Sequence, residues 1–355
     1  MRLIHCSDLH LDSKMESNLP AAQARERKAE ILGTFARLVS WARAQKADGV
    51  LICGDLFDSR RVSAKTAELV LDLMAKAPEV EFFCLRGNHD GSRAVFGGGE
   101  MPENVHAFDE NWTYYRRGDV VIAGLEPADW HAMYDELNLP AETVNIVMLH
   151  GQESTQPGEE LIALPKLRGR NIDYLALGHI HSYRKERLDD RGSWCYCGCL
   201  EGRGFDECGE KGFVLLDIEQ GRVETTFVPF AARQLREVPV DISDRITVTQ
   251  LQEAMEAAAA GISPDSLVKF TLTGTYTPET QKDLTYLSRY FGRQFYFVKM
   301  KDDSRFRIDR GSYEHDISLK GEFVRLVMAS DRPEREKARI ICAGLQALAG
   351  EEVTL

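Results

Sequence analysis

Five apolar runs of three or four residues, spread over the first 181 positions, each stop abruptly at a polar cluster. Ile4-His5-Cys6, Val50-Leu51-Ile52-Cys53 and Phe82-Phe83-Cys84-Leu85 are the first three; Ile146-Val147-Met148-Leu149 and Tyr174-Leu175-Ala176-Leu177 are the others. Runs this short, rich in branched and aromatic residues, predict buried strands. Between the first two, residues 29–46 place Ile31, Leu32, Phe35, Leu38, Val39 and Ala42 at helical spacing, which predicts a helix with one face on a sheet. A second helix is expected around 62–76. Beyond about residue 100 the pattern turns to strands, as at Val120–Ala123, Phe213–Leu216 and Val223–Val228. The layout fits an α/β fold of two packed sheets flanked by helices.

Near Pro229-Phe230 the pattern changes. Residues 249–260 read as an Ala-rich helix, Leu267–Leu272 as a strand, Pro278–Phe291 as a helix and Phe295–Lys299 as a strand. A last amphipathic helix over 332–349 carries Ala338, Ile341, Cys342, Leu345 and Leu348 on one stripe. The expected division is a large domain, 1–230, and a smaller α/β domain, 231–355, which a chain of 355 residues accommodates.

No apolar run approaches the roughly 18 residues of a membrane span. Met1-Arg2-Leu3-Ile4-His5 enters the first strand without a signal-peptide layout, so a cytoplasmic protein is expected. The eight cysteines agree, with Cys6, Cys53 and Cys84 inside predicted strands. Cys195-Tyr196-Cys197-Gly198-Cys199, with Cys208 beyond, could be a zinc site. On a strand, however, all three thiols would share one face, which suits structural cysteines better.

The formal charge of −12 limits nonspecific affinity for nucleic acid. Residues 1–230 hold 26 Lys and Arg against 37 Asp and Glu, whereas 231–355 hold 18 against 19. Bulk acidity does not exclude a nucleic-acid ligand, because binding depends on local patches.

The polar clusters that end the apolar runs are the most informative positions in the chain. They are Asp8-Leu9-His10, Gly54-Asp55, Gly87-Asn88-His89-Asp90, His150-Gly151 and Gly178-His179-Ile180-His181. Strand ends on one edge of a sheet converge, so five of them can build a single polar site. Hydrolysing a phosphodiester near neutral pH needs a hydroxide and a counter to charge on the phosphoryl oxygens. Two divalent ions roughly 3.5–4 Å apart supply both. The candidate ligands are Asp8, His10, Asp55, Asn88, His150, His179 and His181. Mixed imidazole and carboxylate donors suit manganese, iron or zinc better than magnesium or calcium. Any one Asp-x-His at a strand end reads more simply as a cap or turn; the ordered set does not. His5, His106, His131 and His315 read as ordinary strand, loop or surface histidines. Asp12 and Asp58 read as loop caps or supports for the ligands, and Gly97-Gly98-Gly99 as a loop near the mouth or a plain turn.

In this order, the motifs D-x-H, G-D, G-N-H-D, H and G-H-x-H resemble the calcineurin-like metallophosphoesterase superfamily over roughly residues 1–230. Cys6-Ser7-Asp8-Leu9-His10-Leu11-Asp12, Gly54-Asp55-Leu56-Phe57-Asp58 and Leu149-His150-Gly151-Gln152 look like its DNA repair exonuclease branch, the SbcD-like nuclease subunits. The resemblance implies a four-layer sandwich of two mixed β-sheets flanked by helices, with a C-terminal α/β capping domain. It implies one metal on Asp8, His10, Asp55 and His181, and a second on Asp55, Asn88, His150 and His179, with Asp55 bridging. Mn2+ would be the expected ion, with Fe2+ or Zn2+ as alternatives. His89 would protonate the leaving oxygen, a task suited to an imidazole, and Asp90 would orient its ring. DNA as substrate, an SMC-like ATPase partner resembling SbcC and a homodimer are further implications; no Walker A sequence occurs in this chain.

The same metal chemistry would serve a phosphodiesterase for cyclic nucleotides or nucleotide-sugar lipids, or a phosphoprotein phosphatase. A metal-free protein-binding scaffold of the same fold would show a degraded ligand set, and here every ligand is present. In the second domain Arg289, Arg293, Arg305 and Arg307 interleave with Tyr290, Phe291, Phe295, Tyr296, Phe297 and Phe306. Cations beside stacking rings are what single-strand binding asks for, although alternating aromatics also build cores. The stripe on 332–349 packs on its own domain or docks a partner.

Overall fold

The computed structural model describes residues 1–15, 19–58, 62–90, 101–126, 129–277, 280–307 and 310–349. The Gly97-Gly98-Gly99 segment lies outside them. The chain divides into two compact units, Met1–Gln234 and Leu235–Leu355.

The first unit begins with β1 (Arg2–Cys6), α1 (Ala21–Ala44), β2 (Gly49–Cys53), α2 (Ala64–Ala75) and β3 (Glu81–Leu85). There follow β4 (Val105–Ala107), β5 (Thr113–Arg117), β6 (Val120–Gly124), α3 (Met133–Glu136) and β7 (Val144–His150). A small pair, β8 (Gln152–Ser154) and β9 (Leu161–Ala163), precedes α4 (Leu164–Leu167) and β10 (Tyr174–Gly178). The unit closes with β11 (Arg184–Arg187), β12 (Ser193–Tyr196), β13 (Gly212–Glu219) and β14 (Arg222–Pro229).

These strands form two six-stranded mixed sheets, ordered β14-β13-β1-β2-β3-β4 and β11-β12-β10-β7-β6-β5. The middle strands of each run parallel, and antiparallel strands lie toward the edges. The sheets face each other across one core. Leu3, Leu51 and Phe83 from the first meet Ile122, Ile146, Met148 and Ala176 from the second. Strand periodicity explains why β7 is apolar throughout. Val144, Ile146 and Met148 point into that core, while Val147 and Leu149 pack on the other face with Tyr134, Leu137 and Leu167. Helices cover the outside, with Trp41 of α1 set against Phe213 of β13 at 4.9 Å. Two mixed sheets with flanking helices is the architecture expected.

Helix α1 begins eight residues before the predicted position 29. Its first two turns, AAQARERK, bury only Ala24 and Arg27, so apolar spacing could not reveal them. Arg27 is wholly buried, yet its guanidinium donates to Glu30 (2.6 Å) and Glu201 (3.0 Å). A buried cation is tolerable only when paired in this way.

The second unit holds β15 (Leu235–Asp241), α5 (Val248–Ala258), β16 (Leu267–Thr273), β17 (Thr275–Tyr276), α6 (Leu284–Phe291), β18 (Phe297–Asp302) and β19 (Arg305–Phe306). Three helices follow: α7 (Arg310–Glu314), α8 (Leu319–Met328) and α9 (Glu334–Ala349). Strands β15, β16 and β18 form a parallel sheet on which Leu251, Met255, Leu287 and Phe291 of α5 and α6 pack. Helix α6 starts at Leu284 rather than Pro278, because Asp283 caps it by accepting from the Tyr286 amide at 2.8 Å. Strand β18 starts at Phe297, two residues later than expected, since Phe295 belongs to the turn closing α6. Part of the stripe of α9 turns inward: Ile341 and Leu345 are buried with Val324 of α8, beside Phe306 and Phe323, whereas Leu348 is exposed.

Candidate metal centre

Strands β1, β2 and β3 run parallel in one sheet and β7 and β10 in the other, and the ligand candidates lie at or just past the carboxyl ends of all five. In such sheets, sites form outside the carboxyl ends of the strands. Asp8, His10, Asp55 and His179 all have positive φ, at 52°, 45°, 51° and 100°. Left-handed backbone at four non-glycine residues is costly, and such strain concentrates at functional sites. Main-chain bonds hold the turns together: the Asp8 amide donates to Gly54 O (3.1 Å) and the His10 amide to Asp55 O (2.9 Å). Asp8 also accepts from the His179 amide (3.0 Å), and Asp55 from the His89 amide (2.9 Å).

Two imidazoles are tethered through Nδ1, and a third, His10, has a carboxylate near that nitrogen without a hydrogen bond to it. His150 Nδ1 lies 2.9 Å from Cys53 O, His181 Nδ1 lies 2.7 Å from Glu207 Oε1, and His10 Nδ1 lies 3.1 Å from Asp58 Oδ1. A carbonyl or carboxylate at Nδ1 fixes the tautomer and leaves Nε2 as the ligating atom. The three Nε2 atoms then converge. Those of His10 and His181 are 3.2 Å apart, and His150 Nε2 is 3.1 Å from Asn88 Oδ1 and 3.5 Å from Asp55 Oδ2. His181 Nε2 lies 3.6 Å from Asp8 Oδ1, and His10 Nε2 lies 3.7 Å from Asp55 Oδ2.

The 3.2 Å between the His10 and His181 Nε2 atoms suits two ligands of one cation as well as a hydrogen bond between the rings, and the buried His10 Nδ1 has no hydrogen-bond partner. Ligands about 2.0–2.2 Å from a zinc-like ion would stand at about that spacing. The donor set therefore fits divalent metal. Asp8, His10 and His181 form one tight group, and Asp8, Asp55 and His150 another; both are largely buried. Asp55, reached by His10 and His150 alike, sits between them. Asn88 joins the second group through His150. His179 lies beside it, its ring 5.4 Å from that of His150.

Electrostatics follow the same geometry. Burial opposes a charge on His150, but its hydrogen bond to Asp55 and the fields of Asp8 and Asp55 prevail, raising it to about 9. Burial likewise works against Asp55, yet the His150 hydrogen bond and charge, with that of His10, hold its carboxyl down at about 2. His179 is lowered by burial and by the charge of His150.

His89 is exposed at the mouth, its ring 5.1 Å from that of His10. Asp90 does not have the expected role. Its two oxygens accept from the amides of Gly87 (2.9 Å), Phe57 (2.8 Å) and Leu56 (3.2 Å), so it ties two ligand loops together rather than orienting His89. Burial raises it to about 6 in spite of those amides.

Two supporting residues, Glu207 and Arg203, lie outside the motifs, and a third, Ser7, lies within one. Glu207 accepts from His181 and is bound by Arg203 (2.8 Å), which also reaches Asp58 (2.6 Å). Ser7 Oγ donates to Asp8 Oδ2 at 2.5 Å. Asp12 is engaged elsewhere, with Lys28 and the Ser63 amide. Cys195 and Cys197 lie in the intersheet core, Cys197 Sγ 3.1 Å from Ser7 Oγ, as structural cysteines do.

Arg289, Arg293, Arg305 and Arg307 are exposed in the second unit. Of the rings interleaved with them, Phe291 and Phe295 are core residues, whereas Tyr290, Tyr296, Phe297 and Phe306 are half-buried, Tyr290 donating its hydroxyl to Glu256.

The family pattern for calcineurin-like phosphoesterases matches residues 1–183. The chain is 27% identical over 274 residues to an uncharacterized metallophosphoesterase, YhaO, of Bacillus subtilis, covering 72% of this chain and 67% of that one. It is 26% identical over 315 residues to the DNA double-strand break repair protein Mre11 of Methanopyrus kandleri, covering 77% and 68%. Among solved structures, a dimetal phosphatase from Danio rerio aligns with a TM-score of 0.42 at 12% identity, over 65% of this chain and 99% of that one. With the family pattern spanning half the chain, this protein belongs to the calcineurin-like phosphoesterase family.

Proposed function

We infer that this chain is a two-metal phosphodiesterase acting on DNA, an exo- or endonuclease. The observation that carries the metal chemistry is the convergence of Asp8, His10 and His181 beside Asp8, Asp55 and His150, with the His10 and His181 Nε2 atoms 3.2 Å apart. Asp8, His10, Asp55 and His181 would hold one ion, and Asp55, Asn88, His150 and His179 the other. Two such ions, Mn2+ being the expected choice, would supply an activated water and a charge clamp for the phosphoryl oxygens. Asp55, Asp8 and the tethered imidazoles fix the donors. His89, exposed at the mouth, gives its proton to the departing oxygen. Asp90 holds the loop carrying Asn88 and His89 against the one carrying Asp55.

The choice of DNA rests on the likeness to a DNA double-strand break repair protein over 77% of the chain. Work alongside an SMC-like ATPase and dimerisation belong to the same reading. The charge of −12 favours a second reading, a small phosphodiester as substrate. The test is an assay with Mn2+ on end-labelled single- and double-stranded DNA beside bis-p-nitrophenyl phosphate. Cleavage of DNA that Asp55→Ala abolishes supports the nuclease. Hydrolysis of the small diester without DNA cleavage moves the substrate to the second reading, and hydrolysis of neither removes both.

A further inference from the structure

A cavity of about 450 Å³ opens beside Asn88 and His150, within the size range of small-ligand sites. Its walls include the indole of Trp130, the apolar Leu125, and the charged Arg86, Glu126, Glu159 and Glu160. Trp130 is brought close to the metal centre by a missing side chain. A Cβ on Gly151, the residue after the ligand His150, would lie 3.3 Å from the indole edge and 2.7 Å from Glu160 O. The strand end thus leaves room for the ring where a larger residue would push it away.

The charges in this cavity select the kind of group it takes. Arg86 is committed to Glu126, donating through its amide (2.7 Å) and Nε (2.6 Å). Glu159 and Glu160 add two further carboxylates to the lining, the second acting on His179. The cavity is therefore acidic, and a second phosphate beside the one at the metal centre would be repelled. An uncharged planar ring fits instead: its face on the indole, its N–H groups on carboxylates, which only accept.

We propose that the Trp130 cavity is a nucleobase subsite, receiving the base of the nucleoside whose phosphate is cleaved. It rests on the phosphodiesterase reading above and adds which part of the substrate is recognised. Adenine and cytosine, with exocyclic amines, suit its glutamates better than thymine. Base stacking on one aromatic ring contributes about tenfold or more in binding.

The test compares the p-nitrophenyl ester of deoxyadenosine 5′-monophosphate with methyl p-nitrophenyl phosphate, in Mn2+, for wild type, Trp130→Ala and Trp130→Phe. The ratio of kcat/KM for the nucleotide ester to that for the methyl ester falls about tenfold in Trp130→Ala, through KM, and largely recovers in Trp130→Phe. Trp130→Leu, which keeps bulk without a ring, replaces the alanine variant if that one does not fold. A ratio within twofold of wild type overturns the subsite. If the wild type hydrolyses neither ester, the phosphodiesterase reading fails instead. Calorimetric titration with adenosine then decides the subsite: tenfold weaker binding to Trp130→Ala supports it, and equal or absent binding overturns it.

Discussion

Replacing Glu207 by Gln probes a residue that lies outside the ligand set, yet should control one metal site. The carboxylate is 5% exposed, accepts the Nδ1 proton of His181 at 2.7 Å and is held by Arg203 through its side chain and amide. Gln keeps the shape and one acceptor but removes the charge that makes His181 Nε2 a stronger donor. It also leaves Arg203 with Asp58 alone. Loss of such a partner typically weakens metal affinity about 10–100-fold, or about 1.4–2.7 kcal/mol. Because His181 groups with Asp8 and His10 but not with His150, the loss should fall on one of the two sites. Isothermal titration with Mn2+ resolves this as two classes of site, one moved and one kept, while circular dichroism confirms the fold. Unchanged affinity in a folded variant, or equal weakening of both sites, would refute the reasoning.

Three other outcomes are expected. His89→Ala should retain both metal equivalents and lose about 10²–10⁴ in kcat on DNA or a diester, as removal of a general acid does; near-normal turnover would show that another group supplies the proton. Gly178→Ala would put a Cβ 1.8 Å from Cys53 O and 2.8 Å from His150 Nδ1, so overpacking of about 3 kcal/mol or more should lower the melting temperature by roughly 6–12 °C. A shift under about 2 °C would mean that the strand end yields freely. The third concerns pH in the metal-free protein. His150 is raised from 6.5 to about 9, so its pairing with Asp55 stabilises the fold fully below pH 6.5 and less as pH rises through 9. Asp55 is depressed to about 2, so its share is present above pH 3.8 and lost only in strong acid. Melts in chelator should therefore fall between pH 6.5 and 9 in wild type and flatten in His150→Gln; parallel curves would count against the pair.

Composition and periodicity already determined the strand cores, because a strand buried on both faces must be apolar throughout and must stop where polar ligands begin. For the same reason the candidate ligands Asp8, His10, Asp55, Asn88, His150, His179 and His181 could be picked out from the residues just past each run. Elements built mainly from polar residues were hidden. The first turns of α1 rest on the buried Arg27, whose partner Glu201 is 174 residues away, and no local pattern encodes such a pairing. The separation of strand from stacking surface around Phe291 and Phe295 was likewise undecided, since apolar spacing does not say whether a ring faces a core or a base.

The folded chain alone settled which atoms meet. It assigned Asp90 to three main-chain amides, Glu207 to His181, Arg203 to Asp58 and Trp130 to the flank of His150. The kinds of donor, and the strand ends that carry them, were already encoded along the chain, because those depend on local chemistry and on a period of two. Which nitrogen of each imidazole ligates, and what supports it, depends on contacts between segments as far as 171 residues apart, and those exist only once the two sheets have closed on each other.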